Sequence, residues 1–264
     1  MEDDKDIKEQ EASGDEMGFL DHLEELRWRI IKSVIGIIVG GIIVAIFIDD
    51  IMTFVIFAPA KNTNPPLTII NLKPYGQFTL YMQVILIGGI IASVPNIFYQ
   101  FWKFIEPALM PNERKYISGI VFFTSLCFIV GLVFAYFVLL PTALNFFASF
   151  GTDIILNQID ANEYMQFIIS VCLLAGIVFE LPMVSFFLSK VGILKPEFMR
   201  KYRKHAVVAI LIISAIMTPS PDIVSQIMLA IPLFILYEIS IYISKVSQKK
   251  RDSLNSDEET VQSN

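Results

Sequence analysis

Residues that carry chemistry are scarce in this chain. Its two cysteines, Cys127 and Cys172, each lie inside an apolar run without a CxxC partner. No disulfide framework or metal site follows from them, and they read as small buried hydrophobes. The only histidines, His22 and His205, stand far apart, and no HExxH, GxSxG or P-loop pattern occurs. Their absence removes the usual starting points for metallopeptidase, serine-hydrolase and nucleotide-driven chemistry. A protein that is not an enzyme is expected, with no cofactor, no metal and no nucleic acid as partner. The opening residues lack a basic stretch followed by an apolar one and a small-residue cleavage site, so no removable signal peptide is expected. No internal repeat is visible, which argues against inverted-repeat transporter folds.

What the chain has in abundance is apolar sequence. Of its 264 residues 55% are hydrophobic and 17% charged, with a mean hydropathy of +0.62. A soluble domain of this size needs more polar surface, so the class is integral membrane protein. The net charge of -6 belongs to the ends. Acidic residues crowd an arm over 1–17 and recur at Asp257, Glu258 and Glu259. Both the arm and a tail over 246–264 are expected to be solvated and disordered, leaving 18–245 as the membrane domain.

Six apolar runs suit helices: Ile30–Ile48, Phe78–Phe98, Tyr116–Leu140, Met165–Leu188, Ala206–Met217 and Ile223–Ile243. Most reach the roughly 20 residues that a hydrocarbon core about 30 Å thick demands. The fifth reaches only about 18 Å at 1.5 Å per residue. It is expected to cross as a short helix in a thinned bilayer, the alternative being a re-entrant loop. The charges then orient the bundle. Of the 20 Lys and Arg residues, all but Lys61 and Lys73 fall in the N-terminal segment, alternate connections and the tail. Lys and Arg mark the cytoplasmic side, so both termini are expected there. Pro59, Pro65, Pro66 and Pro74 make the first outer connection irregular, and its Ile51–Phe57 stretch is too short to span. That stretch is expected to lie along the interface or cap a cavity. The second outer connection, Pro141–Glu163, is expected to fold back as an amphipathic cap.

A few polar groups stand out against this background. Before the first span comes His22-Leu23-Glu24-Glu25-Leu26-Arg27-Trp28-Arg29, two carboxylates at a membrane edge followed at once by cations. Glu and Arg at this spacing ordinarily decorate a helix surface; in this place they can also receive a basic partner from solvent. Glu180, in Phe179-Glu180-Leu181-Pro182, lies well inside the fourth span. A carboxyl at that depth costs a few kcal/mol on insertion scales and marks function, or else forms an interhelical hydrogen bond. Pro182 removes a backbone donor, so a bend is expected there. Gln226 and Glu238 punctuate the sixth span, with Glu238 expected to meet a basic group such as Lys245. Glu113 follows Pro107 and Pro111 near the start of the third helix, where the helix dipole favours a carboxylate.

Taken together, the motifs resemble the TatC family, the multispanning receptor core of the twin-arginine protein translocase. They are His22-Leu-Glu-Glu25-Leu-Arg27; Pro95…Tyr99-Gln100-Phe101-Trp102-Lys-Phe104…Pro107-Ala-Leu109…Glu113-Arg114; Gly131…Phe134-Ala-Tyr136…Pro141; Phe179-Glu180-Leu-Pro182; and Thr218-Pro…Pro221-Asp222…Ser225-Gln226…Pro232…Tyr237-Glu238. The resemblance runs from about Phe19 to Lys245, and its specificity lies in the order of the motifs on six spans.

The resemblance implies an all-α membrane protein with six transmembrane helices in a concave, glove-like bundle. It implies that Glu25 and Glu113, joined by Arg27 and Phe104, receive the paired arginines of signal peptides. Glu180, Asp222 and Gln226 are implied as intramembrane polar groups that meet partners. Those partners are small single-span TatA/TatB-type proteins, further copies of the chain and the lipid bilayer. The implied location is the bacterial cytoplasmic (inner) membrane rather than the plastid thylakoid, and the implied energy source is the proton motive force. Where the family often has Glu and Lys around the start of the second helix, this chain has Gly76 and Gln83, so no role is carried over to them.

Physical chemistry agrees with an arginine-reading site. A guanidinium stays protonated, and its planar fork matches a carboxylate with two parallel hydrogen bonds, which lysine cannot reproduce. The competing reading is a proton-coupled small-solute secondary transporter with Glu180 as the coupling acid, which needs a midplane cavity. An intramembrane hydrolase lacks a nucleophile–base pair.

Overall fold

The computed structural model describes residues 3–108, 117–149, 158–190, 192–217 and 223–262. These form two compact units, Met1–Ile46 with Ile85–Val121 and Phe47–Val84 with Phe122–Asn264.

In the first unit, α1 (Asp3–Ile46) runs along α5 (Val94–Ile105). The second apolar run is not one straight helix. It breaks at Ser93 between α4 (Gly76–Ala92) and α5, with a bend of 52°. Pro95, in the first turn of α5, has no N–H for the carbonyl four residues back, so the ladder cannot continue through it. Close approach of α1 and α4 depends on glycine. A Cβ on Gly89 would stand 2.8 Å from both the Gly41 nitrogen and the Ile37 carbonyl oxygen. Small residues of this kind let membrane helices touch backbone to backbone.

The second unit opens with α2 (Ile48–Asp50), a π-helical turn over Ile51–Ile56 and α3 (Ala58–Lys61). This stretch helps line a cavity of about 410 Å³ with Leu67, Ile70, Leu80 and Tyr81. Strand β1 (Thr68–Ile70) then pairs in parallel with β2 (Gln158–Asp160), Ile69 opposite Ile159. This sheet is absent from the sequence reading, because three residues are too few to show an alternating pattern.

The third apolar run is longer than expected. α6 (Ile117–Phe134), a π-helical stretch over Ala135–Leu139 and α7 (Leu140–Ser149) join into a helix of 33 residues. Pro141 was expected to open the outer connection. It lies instead in the first turn of α7, where its missing N–H is tolerated beside the π-helical stretch, and the helix passes through it. The fourth run is α8 (Ala161–Val178) followed by α9 (Leu181–Lys190), interrupted at Phe179–Glu180 as Pro182 leads one to expect. Across the break Glu180 N–H donates to Ile177 O at 3.1 Å, a tightened turn.

After α10 (Pro196–Lys201) comes α11 (Arg203–Met217), whose 15 residues span about 22 Å. The fifth run is therefore a short helix. α12 (Ile223–Gln262) carries the sixth run and continues into the acidic tail, just as α1 begins inside the acidic arm. Both ends were expected to lack structure; their Glu, Lys and Gln content is compatible with continued helix. α9 lies along α12 through serines: Ser189 and Ser244 share a hydroxyl hydrogen bond, and Ser240 bonds back to Leu236 O.

Four described stretches are each long and apolar enough to cross a bilayer: Asp21–Ile46, Ile117–Ser149, Ala161–Lys190 and Leu229–Val246. The bent α4–α5 pair supplies another, and α11 is the short one.

Candidate functional site

Glu25 lies on α1 with about 31% of its side chain exposed. Its carboxylate is already engaged. Oε1 accepts from Arg29 Nη2 at 2.8 Å and from Arg29 Nε at 3.3 Å, while Oε2 accepts from no donor among the described residues. The spacing of four residues puts Arg29 one turn further along the same face. From α5, Gln100 Oε1 accepts from Arg29 Nη1 at 3.3 Å. Gln100 Nε2 donates to Asn96 Oδ1 at 3.4 Å, and Asn96 Nδ2 donates to Lys32 O at 3.2 Å. A polar ladder thus fixes a carboxylate–guanidinium pair at the end of the first span.

Phe104 stacks on His22, ring centroids 4.4 Å apart and planes 20° apart. Lys103 pairs with Glu106 at 2.6 Å. Arg27 is exposed and stands outside the ladder. Of the expected binding residues, Glu25 and Phe104 come with ordered partners. Glu113 lies outside the described residues. Sequence reasoning named Arg29 and Gln100 within motifs but gave neither a role, although the Glu25/Arg29 spacing and an amide inside the aromatic run Tyr99–Phe104 were the available signals.

The intramembrane polar groups fall into two kinds. Gln226 is engaged: its Nε2 donates to Leu211 O of α11 at 3.0 Å. Glu238 pairs with Arg203 at 2.6 Å in place of Lys245, joining α12 to the start of α11. Asp222 lies outside the described residues. Glu180 is different. Both of its oxygens are buried beside Cys127 and Phe128 of α6, and neither has a donor in hydrogen-bonding geometry among the described residues. The helix interruption at Phe179–Glu180, just before Pro182, puts that acid at an interrupted turn, which is where membrane helices commonly place functional groups. No group of three or more metal-ligating side chains occurs among the described residues.

The architecture is that of a multispanning α-helical membrane protein with carboxylates at one membrane edge and inside one broken span. Residues 21–232 match the family model for TatC, the Sec-independent protein translocase protein. The TatC protein of Blattabacterium sp. subsp. Periplaneta americana is 38% identical over 261 residues, covering 89% of this chain and 98% of its own length. That of Carboxydothermus hydrogenoformans is also 38% identical, over 90% of this chain and 96% of its own length. A solved twin-arginine translocase receptor TatC superposes with a TM-score of 0.71 at 36% identity, covering 86% of this chain and 99% of that one. A second structure of that receptor, in DDM, gives 0.72 at 35% identity over 84% of this chain and 99% of that one.

The chain belongs to the TatC family of Sec-independent protein translocase proteins. It is a six-helix membrane protein and a translocase component, which sets aside the small-solute transporter reading. By its name the family role is translocation, not covalent catalysis.

Proposed function

We propose that this chain receives twin-arginine signal peptides at its cytoplasmic face and scaffolds the export of folded proteins with small single-span TatA/TatB-type partners and further copies of itself. Glu25 and Glu113 take the two arginines, with Arg27 and Phe104 bordering the surface. Glu180, Asp222 and Gln226 meet partner helices within the membrane. Both termini lie in the cytoplasm, because the Lys and Arg residues concentrate on that side. The membrane is the bacterial inner membrane, and the proton motive force drives transport.

One observation carries the arginine-reading assignment. The Glu25 carboxylate sits at the membrane edge in the grip of a guanidinium fork. The test is binding of a twin-arginine signal peptide and its Lys-Lys counterpart to the purified protein in lipid nanodiscs. A partly desolvated charge-assisted hydrogen bond is worth about 1.5–3 kcal/mol, against about 0.2–1 for an exposed ion pair. Glu25→Ala and Glu113→Ala should each weaken twin-arginine binding by about tenfold or more. Equal binding of the two peptides, or unchanged binding in the double variant, would remove the assignment.

A further inference from the structure

We infer that Arg29 is a resident occupant of the Glu25 carboxylate, which an incoming arginine must displace, and that Gln100 is the amide that holds Arg29. The inference rests on the arginine-reading role of Glu25 proposed above. Arg29 is bonded to that carboxylate, and it presents to one oxygen the two N–H groups, Nε and Nη2, that an external arginine would offer. Its third arm is fixed from another helix by Gln100, whose residue is only 7% exposed. Gln100 in turn is oriented by Asn96, and Asn96 by the Lys32 carbonyl. This is a relay of four side chains ending on backbone, more than a surface ion pair between two flexible chains requires.

The relay does two things for recognition. While no peptide is bound it keeps a carboxylate at the membrane edge paired and oriented, so the site needs no rearrangement of Glu25 itself. It also sets a threshold. A newcomer must make better bonds to Glu25 than a forked guanidinium already makes, and lysine, a single point charge without a planar fork, competes poorly. Displaced Arg29 keeps its bond to Gln100. The same pair therefore gates access to Glu25, and the preference for arginine rests on the planar fork that only a guanidinium offers.

The discriminating experiment measures affinities of the twin-arginine peptide and its Lys-Lys counterpart for the wild type, Arg29→Gln, Arg29→Lys and Gln100→Leu in nanodiscs. Loss of the resident competitor should tighten binding of both peptides in Arg29→Gln by about the same three- to tenfold, because each must displace it. Arg29→Lys keeps the charge without the fork and should fall between wild type and Arg29→Gln. Gln100→Leu should tighten both peptides by less, because Arg29 stays in place with one anchor fewer. Unchanged or weakened binding of both peptides in Arg29→Gln, with wild type still preferring arginine, would overturn the occupant role alone. Wild type without that preference would instead overturn the arginine-reading assignment of Glu25.

Discussion

Tyr164, at the start of the fourth span, donates its hydroxyl to the carbonyl of Ile56, 108 residues earlier, at 2.7 Å. Ile56 ends the π-helical turn between the first and second spans, where helix geometry leaves carbonyls without a partner. Tyr136, from the long third helix, reaches the neighbouring Val55 carbonyl at 3.1 Å. Two tyrosines from different spans thus close the end of one short irregular segment. That segment is too short to hold itself and is held by side chains.

Removing the Tyr164 hydroxyl should therefore cost more than its single hydrogen bond suggests. Tyr164 is 1% exposed, so Tyr164→Phe leaves a buried carbonyl without a donor, at about 1–3 kcal/mol. Tyr136→Phe, whose bond lies in an exposed setting, should cost less. Thermal unfolding of the purified variants in detergent checks the order, and a smaller loss for Tyr164→Phe than for Tyr136→Phe would contradict it.

Glycine content gives a second contrast. Gly89 has Gly41 and Ile37 backbone atoms where a Cβ would go, whereas Gly119 has nothing within 4 Å. Gly89→Ala should lower stability by the overpacking cost of about 1–3 kcal/mol. Gly119→Ala should be neutral or stabilising by up to about 1 kcal/mol, because alanine is the better helix former. Melting temperatures of the two variants decide it, and equal effects would mean that α1 and α4 do not touch as described.

The large features were legible in the sequence because each has a strong local cause. Pro182 predicts the interruption beside Glu180, and the short apolar run before Thr218 predicts the short α11. The ordered motifs supplied the family. What stayed hidden depends on contacts between distant residues. The β1–β2 pair joins positions about 90 apart and is too short to leave a pattern. The hold of Gln100 on Arg29 spans 71 residues, and in the sequence Gln100 is one amide in an aromatic run. Pro141 misled for a different reason: proline ends a helix only where its missing donor matters, and next to a π-helical stretch it does not.

The β1–β2 pair should carry a pH dependence through Asp160. Its Oδ2 accepts from Leu72 N–H at 3.1 Å, and its Oδ1 accepts from Asn162 N–H at 3.0 Å and Glu163 N–H at 3.4 Å. The Leu72 bond first, then the two at the start of α8, hold the carboxyl below its ordinary value of 3.8. A group with a lowered folded pKa stabilises fully above its unfolded value and loses that contribution as pH falls through the folded one. The stabilisation should therefore be flat from about pH 5 to 8 and fade below about pH 4. Asp160→Asn should melt lower than wild type at pH 7, with the gap closing in acid. A gap that stayed constant down to pH 3 would assign the effect to shape instead of charge.

Glu180 is the sharpest test inside the membrane. Its oxygens are enclosed beside Cys127 and the Phe128 backbone, and neither makes a hydrogen bond of good geometry among the described residues. An ionised carboxylate there would be both desolvated and uncompensated, so the acid needs a proton or a polar group brought by another helix. A single transmembrane helix with one polar side chain meets that need. Gln retains the capacity to donate and accept without charge, whereas Ala leaves the incoming polar group unmatched in hydrocarbon. Interhelical hydrogen bonds of this kind are worth about 0.6 kcal/mol on average and up to about 1.7. Glu180→Gln should then keep most partner association and export, and Glu180→Ala should lose several-fold in both. Signal-peptide binding at Glu25, which lies on another helix, should stay unchanged in either variant. Cross-linking to a single-span partner, measured beside export of a folded reporter, reads the two effects separately. Equal loss of export in both variants with full partner contact would point instead to a proton-transfer role, because Gln preserves the hydrogen bond and abolishes only the titration.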